Sequence, residues 1–175
     1  MIKKVWITAA GSAIVATAIV TSVSLFQNKL SAKESTSSTV SNTWAKSAVA
    51  TRKVSVFRSP NCSCCAQWIK HLEAAGFQVE DNITEDLTPI KQQYGVPENL
   101  AACHTATVDS YVIEGHVPAE DILRLLAEKP DYLAGLAVPG MPIGSPGMES
   151  GDYVESYTVF SFTDKGKTDT FANHP

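Results

Sequence analysis

The sequence predicts an α/β domain over residues 51–175, and three observations carry that prediction. Residues 53–58 alternate like a half-buried strand. An amphipathic helix pattern follows directly at residues 65–75. A strand–strand–helix run then occupies residues 105–128.

The elements follow in order. Lys53-Val54-Ser55-Val56-Phe57-Arg58 has the β-branched alternation of a strand, and Ser59-Pro60-Asn61 turns the chain and offers a helix cap. Trp68, Ile69, Leu72 and Ala75 share one face of the first helix, which Gly76 stops. Residues 77–80 begin a second strand. A short helix at 87–94 ends at Gly95-Val96-Pro97. Residues 105–108 and 111–114 flank Asp109-Ser110 as a hairpin, and Pro118 opens a helix over 119–128. The order β-α-β-α-β-β-α is that of a thioredoxin-like domain. A Gly/Pro loop over 134–150 and a closing β-hairpin (157–162 and 168–171) complete the chain.

The first third lies outside this domain. Lys3 and Lys4 precede an uncharged run from Val5 to Phe26, long enough to span a bilayer at about 1.5 Å per residue. Residues 1–30 therefore read as a signal peptide or an uncleaved transmembrane anchor. The anchor is favoured because Gln27-Asn28-Lys29-Leu30-Ser31-Ala32 makes a poor cleavage site and Ala48-Val49-Ala50 lies far downstream. Both readings export the remainder to the extracytoplasmic face. Residues 31–50, rich in Ser and Thr, read as a flexible linker with Trp44 its one large apolar group. A formal charge of −4, with no basic stripe, argues against nucleic acid as a partner.

The chemistry concentrates in the cysteines. Three of four lie in Cys62-Ser63-Cys64-Cys65, at the first strand-to-helix turn, and Cys103 is followed by His104. Amide groups and dipole at a helix amino terminus stabilise thiolates. A purely structural disulfide would have to run to Cys103, since neither Cys64 nor Cys65 closes a useful loop with Cys62. Cys62 and Cys65 also have the C-x-x-C spacing of dithiol oxidoreductases. Against that reading, a redox pair does not need Cys64. The loop before the third strand also carries Cys103-His104-Thr105 where thioredoxins place a proline. Four sulfurs and an imidazole are expected to converge there.

Zinc would be satisfied by three Cys and one His, leaving one thiolate over. Copper(I) is softer and drawn to thiolate and thioether. Adjacent Cys64 and Cys65 point about 100° apart on a helix, which suits sulfurs bridging two ions better than chelating one. Met141 and Met148, the only methionines beyond the initiator, both lie in the Gly/Pro loop and offer thioethers there; they equally suit filling gaps beneath it. His104 is a candidate ligand. His116 either caps the following helix or reaches the site. His71, about 10 Å along the first helix, reads as a surface residue, and His174 as part of the tail.

Asn61-Cys62-Ser63-Cys64-Cys65 with Trp68, Cys103-His104-Thr105-Ala106, the run from Tyr111 to Pro118, and the run from Gly135 to Glu149 together resemble the CopG-type bacterial copper-resistance family, formerly a domain of unknown function. The resemblance covers nearly all of residues 53–172. It implies a thioredoxin-like periplasmic protein holding a cysteine-bridged multinuclear copper cluster with copper redox activity. Position by position, it implies Cys62, Cys64, Cys65 and Cys103 as bridging thiolates, with His104, His116, Met141 and Met148 as further ligands. Ser63 departs from the family's frequent Gly, a strained substitution if that position needs positive φ.

The expected function is an envelope copper-binding protein for copper resistance, with copper ions and other copper-efflux or periplasmic copper proteins as partners. In its enzymatic version the cluster exchanges electrons with copper. The alternatives are a thiol-disulfide oxidoreductase using Cys62 and Cys65, and a chaperone carrying a single copper ion.

Overall fold

The computed structural model describes residues 52–175, so the expected anchor at 5–26, the linker at 31–50 and Trp44 lie outside the described residues. No helix among the described residues is long and apolar enough to cross a membrane.

The chain runs β1 (Lys53–Arg58), α1 (Ser63–Ala74), β2 (Gln78–Ile83), α2 (Thr88–Gln93), β3 (His104–Val108), β4 (Tyr111–Gly115), α3 (Ala119–Glu128), β5 (Gly135–Val138), β6 (Tyr157–Phe162) and β7 (Thr168–His174). A single 3₁₀ turn, Glu98–Leu100, precedes β3. The strands form one mixed sheet in the order β2-β1-β3-β4-β5-β6-β7. β1 pairs β2 in parallel and β3 antiparallel, with Arg58 opposite His104 at the end of the second ladder. That register puts the turn after β1 beside the segment entering β3.

The patterning explains the packing. Val54 and Val56 alternate inward on β1 and are fully buried, and Trp68, Ile69 and Leu72 bury one stripe of α1 against the sheet. Ile122, Leu125 and Leu126 do the same for α3. Trp68 also donates its indole N–H to the Val117 carbonyl at 2.8 Å, which satisfies its one polar atom and ties α1 to the segment before α3.

Four expectations need correction. The stretch 134–150 is not wholly loop, because Gly135–Val138 forms β5, buried at every residue and paired with β4 and β6. Gly135 is required there: a Cβ would sit 2.0 Å from the Val112 carbonyl oxygen. The cap of α1 is Cys62, whose sulfur accepts from the Cys65 amide at 3.3 Å, rather than the preceding turn. His71 is half-buried, and its Nε2 accepts the Ala119 amide at 3.0 Å, so it caps α3 from a different helix. His174 belongs to β7. It donates from Nε2 to Asp121 Oδ2 at 2.7 Å and stacks on Tyr157, while Arg124 lies 3.9 Å over the Phe171 ring.

The His71 bond requires a lone pair on Nε2, hence a neutral ring. Burial holds the His71 pKa below its ordinary value, against the pull of Glu120 and Glu149. A lowered folded pKa on a base contributes stability above the unfolded value of about 6.5 that is lost as pH falls through the folded one. His71→Ala is expected to cost about 1 kcal/mol in urea unfolding at pH 7.5. The difference from wild type should shrink as the pH is lowered to 5.

Candidate metal centre

The turn after β1 and the segment entering β3 bring all four cysteines together. One ligand atom each from Cys62, Cys64, Cys65 and Cys103 lie within 4.8 Å of one another, and so do those of Cys103, His104 and His116. The two sets share Cys103. The expected convergence of four sulfurs and an imidazole is therefore present, with a second imidazole added.

α1 begins at Ser63, so the three clustered cysteines occupy its cap and first turn. No acidic side chain lies in that turn to compete for the positive end of the helix dipole. Ser63 does not have positive φ; among non-glycine residues described, only Asp109 and Lys129 do, so the departure at Ser63 carries no strain. Cys62 and Cys65 form a disulfide, with Cα atoms 5.3 Å apart. The bridge is thus the C-x-x-C pair and not a fold-constraining link to Cys103: positions three apart face each other across one helical turn. Cys64 and Cys103 are free thiols, and Cys64 Sγ lies 3.4 Å from Cys62 Sγ.

Cys103 Sγ is 3.1 Å from His116 Nε2 and 3.3 Å from His104 Nδ1. His116 thus reaches the site, and its open alternative as a helix cap falls to His71. His116 Nδ1–H donates to the Pro146 carbonyl at 2.8 Å, which assigns the neutral tautomer and turns the Nε2 lone pair toward Cys103. With the Cys103 S–H directed at that lone pair, His104 Nδ1–H is left to donate to the same sulfur. His104 is fully buried between Trp68 (ring centroids 4.3 Å apart) and His116 (5.1 Å, edge-on). Its Nε2 is the one buried side-chain nitrogen or oxygen among the described residues with no partner. Burial pushes the pKa of both imidazoles down, so they stand neutral, as ligand imidazoles must.

The methionines are less intimately placed. Met141 is 54% exposed, although its neighbour Gly140 bridges Ala102, the residue before Cys103. Met148 is half-buried and follows Gly147, where a Cβ would meet the Cys64 carbonyl oxygen and the Trp68 amide nitrogen, each at 2.7 Å. The loop therefore lies flush on the start of α1, and only glycine, at φ +85°, permits that approach.

Glu114 is a residue that sequence reasoning passed over, although an acidic residue within an otherwise apolar strand is a readable signal. Its side chain is fully buried. Oε1 accepts from Lys91 Nζ at 2.5 Å and the Ala102 amide at 2.6 Å, and Oε2 accepts from Thr105 Oγ1 at 2.7 Å.

The centre thus defines a mixed α/β domain with a cysteine–histidine site able to hold soft metal ions. A family profile described as "Protein of unknown function, DUF411" matches residues 100–148. Two solved structures of copper resistance protein CopG are similar, each at 47% identity. Form 2 has a TM-score of 0.68 over 71% of this chain and 98% of its own, and Form 1 has 0.67 over 70% and 97%. No curated protein matches. The chain belongs to the family of copper resistance protein CopG.

Burial pushes the Cys103 thiol up to about 12, and the neighbouring Cys64 adds to the rise. A raised folded pKa contributes stability that is complete below the unfolded value near 9 and is lost as pH climbs through the folded one. In metal-free protein, the stability advantage of wild type over Cys103→Ala should therefore narrow between about pH 9 and 12. Denaturant melts of both proteins across that window check it.

Proposed function

We propose that this chain is an envelope copper-binding protein of copper resistance, in which Cys62, Cys64, Cys65 and Cys103 hold Cu(I) as a bridged multinuclear cluster. The observation that carries the reading is the gathering of four sulfurs within one 4.8 Å set, overlapping a Cys–His–His set at Cys103. Soft sulfur donors favour Cu(I) over hard ions. Adjacent sulfurs that cannot share one ion well suit bridging. His116, oriented by Pro146, and His104 are the nitrogen ligands, with Met141 and Met148 as thioethers from the loop. The printed names of the related structures support copper as the cargo. The imidazoles favour Cu(II) more than thiolates do, so the centre also suits cycling between Cu(I) and Cu(II).

The scaffold is read as thioredoxin-like, supported by the β2-β1-β3-β4 order with β1 parallel to β2 and antiparallel to β3. The location is the periplasm, with residues 5–26 as an inner-membrane anchor and copper-efflux or periplasmic copper proteins as partners. The anchor and export rest on the apolar run in the sequence, and the periplasm and the copper partners on the family resemblance.

One observation favours a second reading, a thiol-disulfide oxidoreductase: the Cys62–Cys65 bridge itself. A bridged sulfur is not a thiolate, so loading all four cysteines requires two electrons to open the disulfide to two thiolates. The two readings diverge at Cys64 and Cys103, which dithiol exchange does not need. The full-length chain, reduced and kept anaerobic, is expected to take up several Cu(I) ions per chain and to show sulfur neighbours by X-ray absorption. Cys64→Ser and Cys103→Ser should each lose most of that copper while retaining dithiol chemistry at Cys62 and Cys65. Saturation at a single copper, or preference for zinc, would overturn the cluster.

A further inference from the structure

We propose that Glu114 is the positioning residue of this centre. Its buried carboxylate grips the chain on both sides of Cys103-His104 and so sets where the Cys103 sulfur stands opposite the thiols of α1. The inference rests on the metal-site reading and deepens it.

The argument begins where the sheet stops. The β3–β4 ladder has Thr105 opposite Glu114 as its outermost pair, and the β1–β3 ladder ends at His104. Ala102 and Cys103 lie beyond both. Apart from the isolated bridge between Ala102 and Gly140, no strand pairing fixes them. The Glu114 carboxylate takes over at that point. It accepts the Ala102 amide on one side of Cys103-His104 and the Thr105 hydroxyl on the other.

A lone buried carboxylate would be costly, and an apolar residue in a strand would be cheaper to bury. Lys91, reaching from α2, supplies the counter-charge and also donates to Thr105 Oγ1 at 3.1 Å. Oε1 is thereby occupied by the Ala102 amide and the Lys91 ammonium and Oε2 by the Thr105 hydroxyl, so the residue acts through Cys103 instead of on a metal. The next two residues complete the arrangement. At Gly115, with φ +71°, a Cβ would fall 2.7 Å from Ala102 Cβ and 2.4 Å from the Val138 carbonyl oxygen, so only glycine lets Ala102 approach. His116 then contacts the Cys103 sulfur. Three consecutive residues of β4 and its exit thus anchor, admit and contact the same short segment.

The test uses the full-length chain as wild type, Glu114→Gln and Thr105→Val; the last keeps both charges should the first fail to fold. In reduced, metal-free protein, iodoacetamide labelling read by mass spectrometry separates Cys103 from Cys64. Cys103 is expected to label severalfold faster in the variants, with Cys64 unchanged. General loosening would speed both. Cu(I) retention against a chelator should fall about 10–100-fold in Glu114→Gln, the range typical for residues that orient metal ligands. In a Cys103→Ser background, Glu114→Gln should then produce no further loss, because it acts through that sulfur. An unchanged Cys103-to-Cys64 labelling ratio in both variants overturns the proposal. So does a Glu114→Gln loss as large in the Cys103→Ser background as in wild type. If wild type takes up no copper, the metal reading fails, while the labelling still decides the role of Glu114.

Discussion

The antiparallel pairing of β1 with β3 is the constraint on which the rest depends. Because Arg58 stands opposite His104, the end of one strand adjoins the beginning of the other. Everything that follows β1 is thereby placed beside everything that precedes β3. Residues 41 positions apart in the chain, Cys62 and Cys103, become neighbours without any long-range interaction of their own. The ladder is also what makes the site narrow: its hydrogen bonds fix the separation of the two segments at strand spacing. The sulfurs need only the reach of a cysteine side chain to meet.

Around that juxtaposition the protein uses unlike materials on its two sides. The α1 side is preorganised by backbone, with a helix terminus whose cap is itself a cysteine. The β3 side depends on side chains: a buried ion pair, a glycine without room for a methyl group, and a histidine whose orientation is borrowed from a carbonyl of a distant loop. Buried charge is a poor way to gain stability, since removing one partner of such a pair typically costs about 3–5 kcal/mol while an apolar replacement of both is often neutral. Its presence beside the cysteines is better explained by geometry than by stability.

Much of this was legible in the chain. β1, α1 and α3 follow from periodicity and β4 from the turn at Asp109-Ser110, and Pro118 and Gly76 mark ends where they should. The gathering of Cys62, Cys64, Cys65 and Cys103, with His104 beside Cys103, was legible once the element order was read as a fold whose loop before β3 faces the start of α1. What stayed hidden has a common physical cause, dependence on partners remote in sequence. β5 is buried on both faces, so it shows no alternation, and its Gly135 and following Pro139 read as loop. His71 looked solvated because the amide it accepts belongs to α3. The disulfide was ambiguous because a C-x-x-C pair serves as ligands or as a bridge equally well. His116 carried two meanings until the positions of His71 and Cys103 decided between them.

The last strand has a consequence for how the site comes into being. β7 grips α3 from outside, through Phe171 beneath Arg124 and His174 against Asp121, and α3 begins directly behind the segment bearing His116. A growing polypeptide presents the Cys62–Cys65 triplet well before the residues that will face it exist. During that interval three thiols stand at a nascent terminus with no imidazole, no carboxylate clamp and no covering loop. The centre is complete only once its later holders, from the Glu114 carboxylate to the loop at Gly147, have packed against the start of α1.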